Sequence, residues 1–91
     1  MNKIIFKLSN DQFILFKKYI DYSELSYISF NEQTFQVIIY KKELSLFQDL
    51  IIEASTIYGL DSDGEITEFG RELEALYDTI YSQIKEIKAP N

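Results

Sequence analysis

The chain has 91 residues, 46% of them apolar and 26% charged, with a net charge of −6 and neither cysteine nor histidine. That length suits a single domain burying about 60–65% of its unfolded surface. The missing residue types exclude disulfides, thiolate nucleophiles, imidazole bases and the usual zinc and haem sites. Charge is unevenly placed: residues 1–46 carry six Lys against five acids, whereas residues 47–91 carry ten acids against Arg71, Lys85 and Lys88. The apolar start is broken at Lys7 and no stretch approaches a membrane span, so a cytoplasmic protein is expected.

Residues 3–8 alternate, with Ile4, Phe6 and Leu8 on one side, and read as a strand. Ser9 and Gln12 then form a capping-box pattern, with Leu8 and Phe13 placed as a hydrophobic staple. Asp11 early and Lys17–Lys18 late suit the dipole of a helix over about Asn10–Tyr22, whose buried stripe is Phe13, Phe16 and Ile20. Two alternating stretches, Glu24–Phe30 and Thr34–Tyr40, flank Asn31-Glu32-Gln33 and read as a hairpin. Phe35, Val37 and Ile39 are expected to face the helices. Apolar residues remain on the opposite phase, so Ile5, Ile38 and Tyr40 form a candidate self-association face, and a homodimer is one reading.

After Lys41–Lys42 the period becomes helical: Phe47, Leu50, Ile51, Ala54, Ile57 and Tyr58 mark the buried stripe of a helix over about Glu43–Tyr58. Gly59 reads as its stop, in the left-handed conformation. The run Asp61-Ser62-Asp63-Gly64 reads as a turn and Thr67 as the N-cap of a third helix. Phe69, Leu73, Leu76, Tyr77, Ile80, Ile84 and Ile87 keep helical spacing along it. The expected architecture is therefore α+β in the order β-α-β-β-α-α, a small three-stranded sheet packed against helices, with strand order open. Residues 1–88 read as one domain and 89–91 as a frayed tail.

Asp61, Asp63 and Glu65 invite a calcium reading, but the register opposes it. With Gly64 at the sixth position of an EF-hand loop, Gly59 and Gly70 fall where the first Asp and the bidentate Glu belong. No metal or other cofactor is expected, and a weak Ca²⁺ or Mg²⁺ site is kept as a minor reading. Catalysis has no visible machinery either: the acids fall on solvent faces or in turns, and no glycine-rich phosphate loop occurs. Lys17, Lys18, Lys41 and Lys42, with Tyr19, Tyr22 and Tyr40, contain the elements of a single-strand nucleic-acid patch, but the overall negative charge opposes direct binding.

The run Ile66–Leu73, ITEFGREL, resembles the Thr-Glu-x-Gly-Arg-x-Leu start of the last helix in winged-helix regulators. The likeness spans those residues alone. A strand–helix–hairpin beginning is not helix-turn-helix order, and no basic recognition helix is evident, so it implies helix-start chemistry and no function.

Nine acids against one Arg between Asp49 and Asp78 dominate what remains. Asp49, Glu53, Glu68, Glu72, Glu74 and Asp78 are the candidate partner-binding residues. The expectation is a small non-catalytic protein-binding module that engages a basic partner surface. Its most concrete form is an inhibitor or immunity-type protein whose carboxylates stand in for phosphates. The alternative is a homo-oligomeric accessory protein whose acid serves solubility.

Overall fold

The hairpin sets the sheet. A computed structural model describes residues 2–88, with side chains described for 2–86. In it β1 (Lys3–Lys7) is followed by α1 (Asn10–Tyr19), β2 (Ile28–Asn31), β3 (Gln36–Tyr40), α2 (Leu44–Tyr58) and α3 (Glu68–Lys88). This is the expected α+β order. Strand order is β1-β3-β2, all antiparallel, so the hairpin places β3 against β2 and β1 pairs on the far side of β3. Ile4 opposes Ile39 and Phe6 opposes Val37, while Ile28 and Phe30 oppose the same two β3 residues. One sheet face therefore carries the apolar alternation into the core, where Ile4, Phe6, Val37 and Ile39 are buried.

The start of α1 follows its local code. Ser9 Oγ accepts from Gln12 N–H at 3.1 Å, and Gln12 Oε1 accepts from Ser9 N–H at 3.2 Å. The helix is shorter than its polar pattern suggests. Ile20 turns extended (φ −88°, ψ 126°) and buries itself, and Tyr22–Glu24 form a separate 3-10 turn. That turn also corrects the hairpin. Leu25 is buried ahead of the sheet, and Glu43 ties down Ser26 through the backbone N–H at 3.0 Å and the hydroxyl at 2.8 Å. These contacts delay β2 until Ile28. They also hold the Glu43 carboxyl below its ordinary range, chiefly through the Ser26 hydroxyl.

Asn31 Oδ1 organises the hairpin turn by accepting from Gln33 N–H at 3.0 Å. Phe35 lies in the turn, with φ 57°, rather than in the strand. Its ring still meets Phe13 at 5.8 Å, and its carbonyl accepts from Leu8 N–H at 3.0 Å.

The helices contribute one continuous core with the sheet. Phe6 stacks on Phe47 at 5.0 Å, and Phe16 meets Phe47 at 5.6 Å. Leu44, Phe47, Leu50, Ile51 and Ala54 are buried along α2, and Leu73, Leu76, Ile80 and Ile84 along α3. The last turn of α2 departs from the expected stripe. Ile57 is 59% exposed and Tyr58 also faces solvent, because the helix runs past the core. Tyr58 packs instead against the ring of Tyr19 at 5.6 Å. Ile87 and the expected tail at 89–91 lie outside the residues so described. Among the described residues no helix is long and apolar enough to cross a membrane.

Candidate functional site

The turn between α2 and α3 is built from its own backbone. Asp61 N–H donates to Glu65 O at 2.9 Å and Gly64 N–H to Asp61 O at 3.0 Å, while Leu60 and Ile66 form an antiparallel bridge. Asp61 Oδ1 accepts from the N–H groups of Asp63 (2.9 Å) and Glu65 (3.0 Å), an Asx turn closed by Gly64 at φ 80°. One Asp61 oxygen is thus engaged in holding the loop. Among the described residues no group of three carboxylates comes together as a metal site.

Where the turn meets α3, Thr67 does three things. Its hydroxyl accepts from Gly70 N–H at 2.9 Å, capping the helix, and donates to Gly59 O at 3.2 Å, while its own N–H also donates to Gly59 O at 2.9 Å. Gly59 and Gly70 then lie back to back. A Cβ on Gly70 would sit 2.2 Å from Gly59 O, and one on Gly59 would sit 2.4 Å from Ser55 O. Gly59 is not left-handed, as its position at a helix end suggests; with φ −93° and ψ −7° it is right-handed. Glycine is needed there for close approach of two backbones. The Thr and Gly of the winged-helix-like run serve this cap and this crossing.

Beyond the crossing, α2 and α3 leave an open groove of about 450 Å³. Ile52, Leu60, Ile66 and Tyr77 supply apolar walls, and Glu74 and Asp78 line it from α3. Ile52 and Leu60 are each 47% exposed. Ser55 and Thr56 also border it, but their hydroxyls donate to the carbonyls of Ile51 (3.2 Å) and Ile52 (3.1 Å) within their own helix.

The six candidate acids do not all line one groove. Only Glu74 and Asp78, one turn apart, line this groove; Glu72 lines a second one between α1 and α3, with Asp11, Tyr19 and Phe69. Glu68, Asp49 and Glu53 are exposed and line neither. At about 100° per residue, Glu68 and Glu72 project from one flank of α3 and Glu74 and Asp78 from the other. None of the six forms an ion pair among the described residues. The ion pair found among the described residues joins Lys17 to Glu32, and the Lys17 hydrogen bond holds the Glu32 carboxyl below its ordinary range.

Exposed apolar residues beside the acid are what the charge pattern alone misses. Ile52 lies off the Phe47–Ala54 stripe, and that phase error was the available signal.

On the sheet face turned away from the core, Ile5 and Ile38 are cross-strand partners and Ile5 is 51% exposed. Tyr40, half-buried, stacks on Tyr27 at 4.7 Å, and Lys3 Nζ lies 4.4 Å from the Tyr27 ring centre. The structure therefore brings Ile5, Ile38 and Tyr40 to one face, bordered by lysine. The basic, aromatic patch does not assemble in the same way. Lys17 is paired with Glu32, and Tyr22 packs inward against Phe16 and Phe30.

Compared with protein-family models, curated proteins and solved structures, the chain matches none.

Proposed function

We propose that the chain is a small, non-catalytic protein-binding module whose acidic helical surface engages a basic surface on a partner protein. The observation that carries this reading is the α2–α3 groove, where exposed Ile52 and Leu60 lie beside Glu74 and Asp78, carboxylates with no countercharge among the described residues. An acid that merely keeps a protein soluble has no need of an apolar neighbour. In its most specific form the module is an inhibitor or immunity-type protein, cytoplasmic, that presents carboxylates where its target would hold nucleic-acid phosphates. Direct binding of nucleic acid or membrane is not part of this reading, nor is a bound metal.

Affinity capture from the native cell tests it. The wild-type chain should retain a basic protein that elutes with salt. Glu74→Lys with Asp78→Lys should reduce that retention about tenfold or more while leaving the fold unchanged. Retention by the double variant equal to wild type would overturn the proposal. The second reading, a homo-oligomer without a ligand, is favoured by one specific observation, exposed Ile5 paired with half-buried Ile38 and Tyr40 alongside.

A further inference from the structure

We infer that the α2–α3 groove receives a cationic amphipathic segment of the partner protein, with an aliphatic or aromatic side chain seated between Ile52, Leu60 and Ile66 and a Lys or Arg against Glu74 and Asp78. The inference rests on the reading of an acidic protein-binding module and adds what the partner must look like.

Three observations select this occupant. First, the floor of the groove is small and finished: Gly59 and Gly70 meet backbone to backbone, and Gly59 O already accepts from both the N–H and the hydroxyl of Thr67. Second, the two hydroxyls at the border are turned back onto helix carbonyls. With Gly59 O and the two border hydroxyls so engaged, the charged groups in the lining are the two carboxylates, and both attract positive charge. Third, the apolar walls are exposed where solvent has easy access, which costs free energy unless something covers them.

Charge complementarity with apolar content separates this occupant from others. A metal ion would find two carboxylates and no third one grouped with them among the described residues. An anionic lipid surface would be repelled by the rim. Gly70 to Asp78 spans about 12 Å at the helical rise, enough for about two turns of a docked helix or a few extended residues.

The test uses two fluorescein-labelled synthetic peptides of about 14 residues and equal charge, one with Leu and Lys at helical spacing, the other with Ser in place of Leu. Anisotropy titration of the whole chain should show the Leu/Lys peptide binding about tenfold tighter or better, as burial of even one leucine requires. Ile52→Ser with Leu60→Ser, both at exposed positions, should remove that advantage and leave the Ser/Lys peptide unaffected. Glu74→Lys with Asp78→Lys should abolish binding of both. Glu68→Lys with Glu72→Lys makes the same charge change on the other flank and should cost less than about threefold near 150 mM salt, where exposed charges are screened beyond about 8 Å.

Circular dichroism and melting establish that each variant is folded; Ile66→Ser replaces the wall variant if it is not. Equal affinity for the two peptides, abolished by the Glu74/Asp78 reversal, would overturn the groove as an apolar site and leave the acidic-surface reading standing. Binding indifferent to that reversal would overturn both. Self-association of the chain that the Leu/Lys peptide competes away would also overturn it, because the occupant would then be a second copy.

Discussion

Gly59 and Gly70 show how two residues without side chains can decide where a site lies. Helix propensity predicts that Gly70→Ala, inside α3, stabilises the chain by about 1 kcal/mol. The geometry predicts the opposite, since the added methyl would lie 2.2 Å from a backbone oxygen that has no rotamer to escape into. The expected result is a loss of about 3 kcal/mol or more in urea unfolding, a fall in Tm of about 12–24 °C for a chain of this size. Thr67→Ala should cost about 1 kcal/mol through the lost cap, with more added if Gly59 O is left short of a donor. An alanine at position 70 as stable as the wild type would mean that the two helices do not touch there, and the groove beside them would lose its floor.

At the level of elements, α3 is the piece that joins the acidic end to the sheet. Gln83 lays its amide along the free edge of β1: Lys7 N–H donates to Gln83 Oε1, and Gln83 Nε2 donates to Lys7 O, each at 2.8 Å. A side chain thereby satisfies the position that another strand would occupy, which protects the edge from pairing with other chains. Gln12 Nε2 adds a 2.9 Å bond to Thr79 Oγ1 on the same helix. Gln83→Leu keeps the volume and removes both edge bonds, so stability should drop by about 1–3 kcal/mol. The Lys7 amide should exchange with deuterium faster by more than the global loss explains. Unchanged relative protection of Lys7 would show that the edge does not depend on Gln83.

How much of this was readable without coordinates depends on the range of the interaction. The Ser9–Gln12 box, the Thr67 cap and the stripes of α2 and α3 are decided within four residues, and the sequence carries them openly. Ile57 and Tyr58 keep the helical phase of the α2 stripe yet face solvent, because phase says which side a residue is on and nothing about where the core ends. Likewise Leu25 looks like strand and is held off the sheet by a contact between Ser26 and Glu43, 17 residues apart. The candidate acids were visible as a composition, but the groove that gathers Glu74 and Asp78 and the apolar wall supplied by Ile52 and Leu60 depend on how α2 and α3 meet. That meeting is set by Gly59 against Gly70, a pair whose sequence signal is indistinguishable from ordinary helix punctuation.

For the whole molecule, the choice between a partner and a second copy turns on size and charge. The sheet face bearing Ile5, Ile38 and Tyr40 comprises strands of four and five residues. At strand spacings this is about 17 Å by 10 Å, far below the roughly 800 Å² that each side of a stable interface buries. Lys3, Lys7 and Lys42 border it and Glu86 lies beside Ile5 and Lys7, so pairing two such faces would bring more positive than negative charge together. The chain should therefore sediment as a monomer at about 100 µM, where an interface with micromolar Kd would be almost fully dimeric. Ile38→Lys should leave that behaviour unchanged, since an exposed-face substitution disturbs little when nothing covers the face. A dimer that dissociates on Ile38→Lys would reverse the assignment. Ile5 and Ile38 would then be the working surface, and the acidic end would be reduced to keeping the assembly in solution.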